Sequence, residues 1–161
     1  IASSPGNWDY PMICPAAASP PVVVDDEVRI YYGGYSTSHH GVGTGERIMG
    51  LGCRTLPVDR WIGYQSSTEE AELLTHPFAS QGSLTLNAST GPNGWIKAEL
   101  ITDWGEPIEG YSLEDSAVLT GDSLVHELRW GERTAPPEGL GEVRLRLRSE
   151  HASLWAISVE A

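Results

Sequence analysis

Lysine and cysteine are nearly missing from this sequence of 161 residues: Lys97 is the single lysine, and Cys14 and Cys53 are the two cysteines. The cysteines lie far apart and fit no C-x-x-C zinc spacing. Two buried thiols on neighbouring strands are the first expectation for them, and a disulfide is the second. No run approaches the ~18 apolar residues that a membrane-crossing helix needs. No helical pattern is long enough for a βαβ unit, which excludes a nucleotide-binding α/β fold. The serine-nucleophile signature G-x-S-x-G is absent as well. Positive charge is scarce: 10 basic residues against 22 acidic ones give a net charge of −12. Such a chain repels phosphate backbones and anionic lipid, so neither nucleic acid nor a membrane surface is expected as a partner. The first residues, Ile1-Ala2-Ser3-Ser4, hold neither an initiator methionine nor a signal peptide. The expectation is a polypeptide processed or cut from a longer parent.

Turn formers and aromatics are plentiful. There are 18 glycines, 11 prolines, six tryptophans and six tyrosines, and 40% of residues are hydrophobic, enough to fill the core of one ordinary domain. Period-two alternation dominates and repeats between turn signals spaced roughly 8–12 residues apart, the rhythm of an antiparallel sandwich or barrel. "PVVVDDEVRIYYGG" reads as a hairpin from Val22 to Gly33 with an Asp-Asp-Glu turn, and "RIMGLGCRTL" as a third strand, Arg47 to Leu56. Further strands are expected in "DRWIGYQSS", "AELLTHPFA", "GSLTLNAS", "GWIKAELIT", "EPIEGYS", "SLVHELRW", "EVRLRLRS" and "SLWAISVE". Turns are expected at Gly91-Pro92-Asn93-Gly94, at Asp103-Trp104-Gly105 and at Gly121-Asp122. Alternation puts Ile96, Ala98 and Leu100 on one face, and Val143, Leu145 and Leu147 inward with Arg144, Arg146 and Arg148 as an outward row. "STEEAELL", Ser67 to Leu74, is the one helix-like stretch, with Ser67 and Glu70 able to close a capping box.

Several motifs could carry chemistry. In "VRIYYGGYSTSHHG", Tyr31, Tyr32 and Tyr35 with His39 and His40 combine aromatic faces and polar groups, as sugar recognition needs. The competing expectation is that a tyrosine fills a core while the histidines decorate a turn. Adjacent histidines cannot both face one metal from a regular strand, so no metal site is assigned there. Trp104, in "DWGEP", is the best-placed platform for a sugar ring; a lid over a sandwich edge is its other reading, ranked slightly ahead. Asp25 to Glu27 reads as a solvated turn. Glu114, Asp115 and Asp122 in "LEDSAVLTGD" could hold a structural Ca²⁺, although no spaced-ligand pattern marks a dedicated loop, and no other cofactor is expected. The arginine row is expected to pair with acids on a neighbouring strand. Asn87-Ala88-Ser89 matches a glycosylation sequon.

Taken in order, "NWDYPMICPA", "PVVVDDEVRIYYGGYSTSHHG" and "RIMGLGCRTLPVDRWIGYQSS" resemble the last blade of a five-bladed β-propeller glycosidase. The remainder, from "GSLTLNAST" through "GWIKAELITDWGEPIEGYSLEDS" and "HELRWGE" to "GEVRLRLRSEHASLWAISV", is similar to the β-sandwich appended to family 32-like bacterial glycoside hydrolases. The resemblance implies an all-β chain: residues 1–56 as a partial last propeller blade and 57–161 as an antiparallel, jelly-roll or concanavalin-like sandwich. It brings Trp8 and Asp9 toward the loop of Tyr35, His39 and His40 as further sugar contacts. Nothing in the chain matches the propeller motifs that carry that family's catalytic carboxylates. The expectation is therefore a secreted or periplasmic, non-catalytic module that contacts a polysaccharide or oligosaccharide or supports an upstream propeller. The alternative is a fragment or subunit of an active glycosidase whose carboxylates lie on a missing upstream segment or a second chain. A third reading is a plain lectin-like interaction domain.

Overall fold

The computed structural model describes residues 3–14, 20–38, 46–79 and 81–160, with the side chain of residue 160 excepted. The described residues are all-β, with antiparallel sheets and no helix. The chain divides into two compact units, residues 1–58 and 59–161.

The first unit is one four-stranded sheet. Its centre is β3 (Glu27–Tyr35). β1 (Met12–Cys14) and β2 (Val22–Val24) lie end to end along one edge of β3, and β4 (Met49–Pro57) runs along the other. Val24 pairs with Glu27, so Asp25 and Asp26 form the two-residue turn expected there, with Asp25 in the left-handed region at φ 54°. The cysteines differ from expectation. Cys14 is on β1 and Cys53 on β4, with β3 between them; both thiols are free and Cys53 is exposed. Two inter-strand spacings separate them by roughly 10 Å, beyond the reach of a disulfide.

The second unit is a six-stranded sheet wrapped around one core in a sandwich-like arrangement. Its frame is two long strands, β8 (Ser83–Thr102) and β10 (Glu142–Glu160), paired along their whole length. The short β5 (Tyr64–Gln65), β6 (Ala71–Leu74) and β7 (Phe78–Ala79) add to the free edge of β10, and β9 (Asp122–Glu127) adds to β8. The expected turn at residues 91–94 does not reverse the chain. β8 continues along the same partner, with Gly91 to Gly94 bulging opposite His151, which takes φ 47°. Both strands bend there, and Leu84, Leu86 and Ala88 from one half meet Ile96, Ala98 and Leu100 from the other in one cluster with Leu128, Trp130, Val143, Leu145 and Leu147. A second bulge near Trp155 shifts the alternation, so that Leu154 and then Ile157 pack on the core.

Three further expectations change. "STEEAELL" forms no helix: Ala71 to Leu74 is strand β6, registered against Ser149 to Arg146 of β10. Its Leu73 packs on the core, while Glu70 and Glu72 bond Arg148. Burial of Leu73 and ion pairing across the ladder override a weak capping signal. Of "DRWIGYQSS" only Tyr64 and Gln65 are strand, with Trp61 exposed in the preceding loop, and "EPIEGYS" forms no strand, only a bridge of Pro107 to Ile101. The arginine row pairs as expected, Arg144 with Asp103 at 3.1 Å, Arg146 with Glu99 at 2.7 Å and Arg148 with Glu70 at 3.0 Å. The sequon residue Asn87 is buried and accepts a bond from Arg60 Nε at 2.8 Å, which leaves no room for a glycan.

Candidate functional site

In the first unit the strand sequences "YYGGY" and "GLGC" place small residues on one face. Cross-strand register sets Gly34 against Gly50 and Tyr32 against Gly52. The indole of Trp8 lies on the first pair: a Cβ built on Gly34 would fall 2.7 Å from Trp8 Cζ3, and one on Gly50 would fall 2.9 Å from the same atom. The ring of Tyr32 covers Gly52, where a Cβ would meet Tyr32 Cζ at 2.3 Å. Glycine is required at these positions for closeness, since any side chain would lift the rings off the sheet. Trp8 and Tyr32 are themselves stacked, with centroids 6.4 Å apart and planes 14° from parallel.

Asp9 fixes this arrangement. It is only 2% exposed, and its carboxylate accepts hydrogen bonds from Ser3 Oγ at 2.5 Å and Tyr32 Oη at 2.8 Å. The Ser3 hydroxyl first, and the Tyr32 hydroxyl second, hold the Asp9 carboxyl below the usual carboxylate range. The bond to Asp9 in turn raises the Tyr32 phenol above its ordinary value, with burial adding to the effect. Asp9 is therefore an anchoring anion with both oxygens engaged. Trp8 keeps an exposed face, 40% of its surface, and Tyr10 is similarly open at 41%.

Of the residues expected to share a site, Trp8 and Asp9 are brought together. Tyr35 is not: a Cβ on Gly33 would meet the Tyr35 ring at 3.8 Å, so Tyr35 shares the face of Gly33, opposite that of Tyr32 and Gly34. There the Arg47 guanidinium lies 4.8 Å from the Tyr35 ring centroid. His39 and His40 lie outside the described residues.

Trp104 belongs to the second unit and is 89% exposed, so the reading as a lid does not hold. Its turn is firmly built. Gly105 N donates to Thr102 O at 2.9 Å, Thr102 N donates to Glu106 O at 2.8 Å, and Glu106 N donates to Thr102 Oγ1 at 3.0 Å. Gly105 takes the left-handed φ of 90° that the turn needs, and Asp103 accepts from Arg144 Nη2 at 3.1 Å. A large apolar ring is thus held in water on a rigid mount.

A cleft of about 740 Å³ also opens in the second unit, lined by residues of β5, β6 and β10, with Leu73, Leu147, Leu154 and Ile157 among them. It holds none of the expected site residues. Its most buried polar group, Ser66 Oγ, is already used, accepting from Ala152 N and Ser149 Oγ at 3.1 Å each. Among the described residues no group of three or more histidine, cysteine or acidic side chains converges as a metal site. Asp115 bonds the backbone and hydroxyl of Ser112, and Asp122 bonds Arg60, which lowers its carboxyl below the usual range.

Comparison with protein-family models, curated proteins and solved structures finds no match. The residues themselves must carry the functional reading.

Sequence reasoning did not single out Gly34, Gly50 and Gly52 or the Tyr32–Asp9 bond. The alternate glycines of "GLGC" were the available signal, since glycine at every second position of a strand marks a face on which something flat lies.

Proposed function

We propose that this chain is a non-catalytic, carbohydrate-associated accessory module of a secreted or periplasmic bacterial glycoside hydrolase. The observation that carries the reading is Trp104, 89% exposed on a turn closed by backbone bonds on both sides. Burying a large aromatic ring is favourable, so a rigidly mounted, solvent-facing indole is costly unless something stacks on it. The C–H face of a sugar ring is a flat, weakly apolar partner of the right size, and a net charge of −12 disfavours polyanions as rivals. Trp8 and Tyr10 offer a second aromatic surface in the first unit. In the finer architecture we infer, the second unit is a jelly-roll or concanavalin-like sandwich and the first is strands of a last propeller blade. The successive antiparallel pairing of β2, β3 and β4 supports the blade.

Calorimetric titration with soluble fructan and xylan oligosaccharides tests the binding half. Weak binding is expected, reduced about tenfold or more in Trp104→Ala, the equivalent of about 1.4 kcal/mol of stacking. No heat with any polysaccharide tried would sink it.

The second reading is a fragment or subunit of an active glycosidase, with the carboxylates elsewhere. Tyr35, placed under Arg47 at the end of β3 and four residues ahead of His39 in the sequence, favours it as one wall of a shared pocket. Release of reducing sugar by the intact parent gene product, combined with none by this chain, would support that reading.

A further inference from the structure

The outer edge of β4 has the makings of an interface. Ser36 N donates to Ile48 O at 3.0 Å, and Val58 N donates to Asp26 O at 2.9 Å, so the pairs just beyond each end of the β3–β4 ladder are hydrogen-bonded. Bonding alternates along an antiparallel pair. The even-numbered positions of β4 therefore turn their backbone groups toward β3, whereas Met49, Leu51, Cys53 and Thr55 turn their N–H and C=O outward. Among the described residues no strand pairs with that edge. The usual guards of an open edge are charge, proline and bulges. Here the outward positions carry no charge, the ladder with β3 has no bulge, and Pro57 comes only at the far end. Met49 is 64% exposed and Leu51 74%.

We propose that β4 pairs with β4 of a second copy of this chain, antiparallel about a two-fold axis through Gly52. Two features favour a second copy over another strand. First, the edge is self-complementary. With Gly52 opposite its counterpart, Met49 faces Thr55 and Leu51 faces Cys53 in both directions, so every outward N–H meets an outward C=O. A register shifted by one pair leaves an outward position facing outside this set. Second, the charges permit it. Each chain carries −12, so two copies can approach closely only through a region without acidic groups, and β4 has none. Its one charge, Arg54, faces the partner strand's Gly50, and Gly50 is the glycine that Trp8 overlies in each copy, which offers the guanidinium an aromatic ring. The pairing joins two four-stranded sheets into one continuous sheet and closes both edges. It requires no sugar, so it stands or falls separately from carbohydrate binding.

Sedimentation velocity and light scattering on the intact chain give the first readout, with a mass of two chains expected. Thr55→Pro removes an outward N–H and leaves the ladder with β3 untouched, because position 55 makes no bond to β3. The two-fold axis counts that loss twice, so the dissociation constant should rise about tenfold or more. Leu51→Lys, which keeps the backbone and adds an edge charge, should do the same, and it guards against misfolding of the proline variant. Register is read by Leu51→Cys in a Cys14→Ser background: oxidation should link position 51 of one copy to Cys53 of the other, giving a covalent dimer on a non-reducing gel. A monomer at all concentrations overturns the proposal. So does a dimer that survives both edge substitutions, or one that links Cys53 to Cys53 instead. Capture of an unrelated apolar strand peptide by a chain that stays monomeric would also overturn it, making β4 a docking edge for a different partner.

Discussion

The two units solve the same problem, covering the face of a sheet, in opposite ways. In the second unit two long strands bend at His151 and bring their own apolar faces together, so that Leu84, Leu100, Trp130 and Leu145 lose all contact with water. Among the described residues the first unit has one sheet and no second layer of strands; two rings and a short N-terminal segment cover its glycine-lined face, and β4 is left exposed. Apolar burial scales with the area removed from water, so the second unit is expected to hold its fold by itself and the first to be marginal. With two units a single melting temperature is not meaningful, and hydrogen exchange resolved by segment is the appropriate probe.

The largest effect should come from Trp130→Ala. Trp130 is fully buried, packs on Tyr111 at 5.3 Å between ring centroids and donates its indole N–H to Ala98 O at 2.8 Å. Its removal should cost about 3–5 kcal/mol. Exchange protection should collapse across residues 83–102 and 142–160 while that of β3 persists. If both units lose protection together, they do not differ as described.

Next comes the arginine row, where burial grades the cost. Arg146 bonds Glu99, whose side chain is 9% exposed, whereas Arg148 and its partner Glu70 are exposed at 41% and 49%. Arg146→Ala leaves a buried carboxylate without its cation and should cost about 2–3 kcal/mol. Arg148→Ala should cost about 0–1 kcal/mol. Equal losses in urea denaturation would refute the burial argument.

Much of the second unit was legible in the sequence because its chemistry is local. Val143, Leu145 and Leu147 alternate with three arginines, and both the inward face and the ion pairs follow from that pattern. The bend at residues 91–94 was not legible. Gly-Pro-Asn-Gly signals a turn, but only the partner strand, opposing it with His151 alone, decides that the chain bulges instead of reversing. Ala71 to Leu74 carried two readings, strand in "AELLTHPFA" and helix in "STEEAELL", and the choice between them comes from β10, more than seventy residues away in sequence. In the first unit alternation gave β2, β3 and β4 but not the three-residue β1, and the site depended on Trp8 lying over Gly34 and Gly50, a long-range contact without a periodic signature.

The neighbouring contact, of the Tyr32 ring with Gly52, sets the third expected effect. Gly52→Ala would place a methyl 2.3 Å from Tyr32 Cζ, and the ring cannot swing aside cheaply because Asp9 holds its hydroxyl. Overpacking of this kind costs about 1–3 kcal/mol. Loss of protection in β3 and β4 with none in β8 or β10 is the expected result.

The pH response should separate the units at the alkaline end. Tyr32 has its folded value raised, so its contribution is fully present below the unfolded value of about 10 and is lost as pH rises through the folded one. The first unit should therefore open in strong alkali before the second. Acid does not discriminate as well. Asp9 and Asp122 are both lowered, so each unit holds stability above about pH 4 that disappears as pH falls through the folded value. Asp9→Asn should blunt the acid response of the first unit alone. Tryptophan and segment-resolved exchange followed across a pH series would show whether it does.

The smallest effect on stability should be that of Trp104→Ala, and its smallness is informative. Trp8 is also exposed, but its indole covers two glycines and its loss would uncover them. Trp104 covers nothing, since the turn beneath it is held by Thr102, Gly105 and Glu106 without help from the indole. Its removal should change unfolding free energy by no more than about 0.5 kcal/mol. A larger loss would make Trp104 structural and withdraw the best argument for a sugar platform. An unchanged denaturation curve together with lost polysaccharide binding would mean that this ring serves a ligand and not the fold.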